Sequence, residues 1–150
     1  MKHFFMSSLW FLTMVSVGTW FAYMSVIDTE PPFQYLTEEQ GSRIVPSPVK
    51  SEGVVKTEWQ LTKVTRDCPR QIERLYYSID TGELITTQDA TPLQMTVKKS
   101  ATQLSRSFNL PPNLPPRTGY RARACFQCNF LQRFYPICIL SPQLTINISQ

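Results

Sequence analysis

Along most of this chain apolar and polar side chains take turns, the period of a strand that buries one face and wets the other. Val55, Thr57, Trp59 and Leu61 interleave with Lys56, Glu58, Gln60 and Thr62, which predicts a strand with Trp59 in the core. Arg74 to Ile79 and Glu83 to Thr87 flank Asp80-Thr81-Gly82, a strand, turn, strand arrangement. Leu93 to Val97 and Leu104 to Leu110 supply weaker strands. From Gly119 to Gln127 the pattern is cleanest, with Tyr120, Ala122, Ala124 and Phe126 on one face and Arg121, Arg123 and Cys125 on the other. The apolar set must face inward, so Trp59 and Tyr120 are expected in one core on facing sheets. Pro136 to Leu140 and Gln143 to Ile148 close the series. Short strands with turn signals between them point to an all-β sandwich.

One stretch breaks the period. Phe4 to Ile27 runs for 24 residues without a charged side chain, and as a helix it would reach about 36 Å, enough for a hydrocarbon core of about 30 Å. It is expected to be a transmembrane helix after a cytoplasmic tail of residues 1–3. Lys2 precedes it while Asp28 and Glu30 follow, a bias that keeps the N-terminus in the cytoplasm and sends the C-terminal part to the periplasm or outside. A cleaved signal peptide is the competitor, since Ser16-Val17-Gly18 offers small residues to a peptidase, but an apolar core of that kind is usually about 7 to 15 residues. Gly18 and Ala22, four apart, form a pair through which two copies could approach closely as a homo-oligomer.

Residues 28–53 hold Pro31, Pro32, Pro46 and Pro48 without a sustained apolar period, and read as a tether with room for one edge strand. The folded ectodomain is then expected over 54–150. Residues 28–60 carry six acids and three bases, whereas 61–150 carry eleven bases and five acids. Arg117, Arg121 and Arg123 could thus form a basic contact face, for an anionic lipid or glycan rather than for nucleic acid outside the cytoplasm.

The run Leu110-Pro111-Pro112-Asn113-Leu114-Pro115-Pro116-Arg117-Thr118-Gly119-Tyr120-Arg121 resembles the proline-rich turn and Gly-Tyr strand opening near the end of fibronectin type III domains. With Arg66-x-Cys68, Cys128-Asn129 and Pro136-Ile137 it also resembles short single-pass membrane proteins of tailed bacteriophages. The resemblance implies an immunoglobulin or fibronectin type III-like sandwich behind the membrane helix. It brings no inter-sheet disulfide with it, because immunoglobulin domains place Tyr two residues before the second Cys and Tyr120 precedes Cys125 by five.

Four cysteines, Cys68, Cys125, Cys128 and Cys138, favour two disulfides in an oxidising compartment. Cys125 shares the outward parity of Arg121 and Arg123, and Cys138 turns outward between Ile137 and Ile139, so a hairpin would set the two opposite each other. That leaves Cys68 to reach across the sheets to Cys128. Cys125-x-x-Cys128 also has the spacing of thiol oxidoreductases, but no helix pattern follows it to lower a thiolate pKa. Zinc would want two such pairs or histidines, and the single histidine is His3. The same lack removes a hydrolase triad, and no glycine-rich phosphate loop is present. Asp80-Thr81-Gly82 matches the aspartic protease triplet, which would need a homodimer here, yet a hairpin turn explains the same letters. Pro112-x-x-Pro115-x-Arg117 fits a polyproline ligand and, more simply, a stiff turn between strands.

The reading that follows is a membrane-anchored extracytoplasmic module without cofactor or metal, binding an unidentified protein or envelope component. The alternative is an enzyme, either a thiol-disulfide oxidoreductase using Cys125 and Cys128 or a dimeric aspartic protease using Asp80.

Overall fold

A computed structural model of the chain describes residues 2–26, 30–50, 52–90 and 100–149. It divides into two units, Met1–Glu30 and Pro31–Gln150. The strand expected at Leu93 to Val97 lies outside the described residues.

The first unit is a helix, α1 (Lys2–Val26). Among the described residues no helix is long and apolar enough to cross a membrane, which overturns the transmembrane span, the signal anchor and the single-pass topology expected of Phe4 to Ile27. The physical reason is polarity: hydroxyls interrupt the apolar run, with Thr13 Oγ1 donating to the Trp10 carbonyl at 2.8 Å and Thr19 Oγ1 donating to the carbonyl of Val15. A Cβ added to Gly18 would meet nothing within 4 Å.

The second unit is built of β-strands with two short 3₁₀ turns among its described residues. In chain order its strands are β1 (Arg43–Val45), β2 (Val49–Lys50), β3 (Val54–Gln60), β4 (Arg70–Ser78), β5 (Leu84–Ala90), β6 (Gln103–Asn109), β7 (Arg117–Phe126), β8 (Ile137–Leu140) and β9 (Leu144–Ser149). They form a three-stranded sheet in the order β1-β3-β6 and a six-stranded sheet in the order β2-β9-β7-β4-β5, with β8 also on β7. β8 and β9 pair with successive halves of β7, and Ser141 fills the break between them: its N–H donates to the Ala122 carbonyl and its Oγ accepts from the Ala122 N–H, both at 2.8 Å.

Alternation decides which face is wet. Along β3 the side chains of Val55, Thr57 and Trp59 are buried while Val54 and Lys56 are exposed. On β7, Thr118, Tyr120, Ala122, Ala124 and Phe126 all point inward. The two sheets meet through rings: Trp59 stacks on Tyr120 with centroids 6.2 Å apart, and Phe108 of β6 stacks on Tyr120 at 5.5 Å. Both Trp59 and Tyr120 are 2% exposed.

The stretch read as a tether, 28–53, is folded from Pro31 on. Phe33 is buried edge-on to Phe126 at 5.1 Å. Backbone bonds from Leu36 N–H to Gln60 C=O and from Thr62 N–H to Gln34 C=O, each 2.9 Å, lay residues 34–36 along the end of β3. Ile44 and Val49 enter the core from β1 and β2. Single apolar residues separated by prolines and turns have no period to read, yet each reaches the interior because β1 joins the smaller sheet and β2 the larger.

Candidate functional site

β7 is the strand from which the chemistry-bearing side chains project, since it is paired on both edges and alternates from Tyr120 to Phe126. Its outward face carries Arg117, Arg121, Arg123 and Cys125. Arg123 is ion-paired with Glu73, its register partner on β4, and Glu73 lies in turn opposite Asp89 on β5. Arg121 sits 5.8 Å from the Tyr77 ring and donates from Nη2 to Gln143 Oε1 at 3.4 Å. Two cations of the expected basic contact face are therefore committed to neighbours, and Arg117 stands apart at the far end of the strand opposite Asn147. Gln71, Glu73, Asp89, Arg123 and Cys125 line a cleft of about 160 Å³, below the roughly 300 Å³ at which ordinary ligand pockets begin.

The four cysteines form two bonds, Cys68–Cys128 and Cys125–Cys138. Cys125 and Cys138 are direct register partners on β7 and β8. The other bond has a different geometry from the one expected. The β4–β7 register runs from Arg70 opposite Phe126, and the Gln127 N–H donates to the Pro69 carbonyl at 3.0 Å, so the ladder continues to Cys68 opposite Cys128. The bond clips neighbouring strands of one sheet and does not reach across to the other. Cys125 and Cys128 belong to separate bonds, and no cysteine is free.

Between the two disulfides the chain makes a short bulky loop. Leu131–Arg133 is one 3₁₀ turn, and Gln132 is buried beneath it. Gln132 Oε1 accepts the Cys128 N–H at 2.7 Å while the Gln132 N–H donates to Asn129 Oδ1 at 2.9 Å. With its amide turned in, the loop turns its rings out: Phe130 is 67% exposed, Phe134 66% and Tyr135 83%. Phe130 and Phe134 meet edge to face at 5.6 Å, flanking Arg133. This patch was not singled out from the sequence, although Phe130, Phe134 and Tyr135 between two cysteines, with no alternation to bury them, were the available signal.

Asp80-Thr81-Gly82 is a turn joining β4 to β5. The Gly82 N–H donates to the Ser78 carbonyl and the Ser78 N–H to the Glu83 carbonyl, both at 2.9 Å. Gly82 has φ +72°, which glycine adopts without strain. Pro111 to Pro116 likewise lies between β6 and β7. Among the described residues no group of His, Cys, Asp and Glu could hold a metal ion.

The interior holds a second set of polar groups. β4 points Arg70, Ile72, Arg74 and Tyr76 inward, by their register with Phe126, Ala124, Ala122 and Tyr120. Arg74 lies 4.3 Å over the Phe108 ring, and Tyr76 Oη donates to Gln88 Oε1 at 3.1 Å. Arg70 is 1% exposed, with its guanidinium 5.9 Å from the Phe33 ring. Burial lowers its pKa, and the nearby Arg106 guanidinium adds to that. Arg-x-Ile-x-Arg-x-Tyr alternates like the other strands, but the strand read from the sequence began only at Arg74 and gave neither arginine a place in the core.

No family model matches the chain, and no curated protein matches it. Among solved structures it is similar to the C-terminal domain of Wzt, at 10% identity and a TM-score of 0.48 over 81% of this chain and 75% of that one. It is similar also to the Pseudomonas fluorescens alkylpurine DNA glycosylase AlkC bound to DNA containing an abasic site analog, at 8% identity and 0.45 over 85% and 33%. A third is the sensor domain of the anti-sigma factor RsgI4 of Pseudobacteroides cellulosolvens, at 16% identity and 0.33 over 71% and 93%. All three are unrelated to bacteriophage membrane proteins, and likenesses this distant assign neither a family nor a function.

Proposed function

We propose that this chain is a non-catalytic recognition module of an oxidising, extracellular setting, and that it grips a protein partner with the loop between its two disulfides. The observation that carries this reading is the exposure of Phe130, Phe134 and Tyr135 on a loop whose backbone is held from both ends. Aromatic side chains and arginine are the groups that dominate protein interfaces, and a surface ordered beforehand loses little entropy on binding. Both cysteines of the Cys125-x-x-Cys128 pair are consumed in structural bonds, which leaves no thiolate for exchange. Asp80 is used as a turn residue.

The test places a photo-crosslinking phenylalanine analogue at position 134 and, as a control, at Arg43 on the other sheet. Position 134 is expected to trap one partner that excess wild-type protein competes away, and the Phe130→Ser, Phe134→Ser, Tyr135→Ser triple variant is expected to lose binding while melting as before. Equal capture from both positions would remove the loop from the function. A crosslink between two copies of this chain would reassign it to self-association.

A further inference from the structure

The side chain of Arg70 is where the structure holds an unbalanced charge. Its Nε, Nη1 and Nη2 are buried and have no hydrogen-bond partner. Nε of Arg106, which faces it from β6, is buried and unpartnered too. Guanidinium groups are donors only, with five N–H bonds each and no acceptor. Tyr35 is near enough to Arg70 for their charges to interact, and its phenol is a neutral donor whose pKa burial pushes up to about 12. No Asp or Glu occupies an inward-facing position on the described strands of either sheet. Of the carboxylates nearest to Arg70 in sequence, Glu73 is turned outward to Arg123 and Asp67 is exposed ahead of β4. A buried cation without a counter-charge is strongly unfavourable unless something neutralises it, and a buried polar group left unsatisfied is often explained by an ion.

We propose that Arg70, Arg106 and Tyr35 form a binding site for one oxyanion, a carboxylate, sulfate or phosphate group, seated between the two sheets. The chemistry matches on both sides. An oxyanion has acceptors alone, and a guanidinium offers it two parallel N–H bonds. Arg70 is fully buried, while Tyr35 and Arg106, whose charges interact with it, are each half-buried. The site lies inside the sandwich on strands β4 and β6 and does not depend on the exposed loop or on the reading built on it.

The experiment melts the full-length protein at pH 7 and constant ionic strength while chloride is replaced by acetate, sulfate or inorganic phosphate. At least one oxyanion is expected to raise the melting temperature above its value in chloride and to do so saturably, as one-site linkage requires. Saturation by acetate identifies a planar carboxylate as the fitting group, and saturation by sulfate or phosphate a tetrahedral one. Arg70→Met is expected to weaken the response by about tenfold or more, the effect of losing charge-assisted hydrogen bonds. Should that variant not fold, Arg106→Gln, at a half-buried position, is expected to weaken it in the same direction. Sulfate and phosphate also strengthen burial generally. A rise that never saturates, or that persists undiminished in the variants, is that general effect and overturns the site, as does the absence of any rise.

Discussion

Trp59 is the residue on which the two sheets close, with Tyr35 5.0 Å away on one side and Tyr120 6.2 Å away on the other. Its side chain buries large apolar area, so Trp59→Ala is expected to cost about 3 to 5 kcal/mol, read from urea unfolding. An unchanged midpoint would mean that the ring is not in the core. The tyrosines make a second prediction. Burial raises the pKa of Tyr35 to about 12 and shifts Tyr76 and Tyr120 up as well. An acid whose folded pKa is raised holds its proton more tightly when folded. Its contribution is therefore complete below the ordinary value of 10.0 and drains away as pH climbs through the folded value. Stability is expected to fall between about pH 10 and 12, with phenolate absorbance delayed for these rings until the fold opens. Phenolate absorbance from all six tyrosines of the chain at the ordinary pH in the folded protein would contradict this.

At the scale of elements, β7 and its neighbours concentrate the covalent ties. The Cys68–Cys128 bond closes a separation of 60 residues and the Cys125–Cys138 bond one of 13. On the chain-entropy argument their paired replacement by serine should cost about 4 and about 3 kcal/mol respectively. Cys68 is also buried, which adds to the first. Denaturant titration of the two double variants checks the order, and a larger loss from the short bond would reverse the argument. Of the three strands that meet at these bonds, β7 was the most legible because its apolar positions alternate over most of ten residues. Parity also put Cys125 and Cys138 on one face, where they are register partners. Less legible was where Cys68 lies, since Thr65 to Pro69 has no period and only the extension of the β4–β7 ladder brings it beside Cys128. Phe33 and Tyr35 were hidden for the same reason, each a lone ring among prolines and polar residues. The aromatic loop was read past because exposure, unlike burial, leaves no periodic trace. Helix α1 was misjudged in the opposite way: the absence of charge in Phe4 to Ile27 was weighed, while its hydroxyls were not.

Across the whole second unit the ties are distributed unevenly. Each disulfide lies within the six-stranded sheet, and none joins it to the sheet of β1, β3 and β6. Attachment of the smaller sheet rests on packing, chiefly the rings around Trp59 and Tyr120, and on the chain segments that pass between layers. Its longest ladder, β3 with β6, has seven register pairs, whereas β4 with β7 has nine and is clipped at its end by a bond. Elements held by fewer constraints open at lower free energy, and amide exchange reports that order. The amides of β3 and β6 are therefore expected to exchange before those of β4 and β7. Mild reduction should then lower protection along β4, β7 and β8, because the unfolded state of that sheet gains the entropy the bonds had removed. Protection of β3 against β6 should change little under the same treatment. If β3 and β6 prove the last to exchange, or lose protection in step with β7 on reduction, the two sheets open as one unit and the aromatic core, not the disulfides, sets the stability of both.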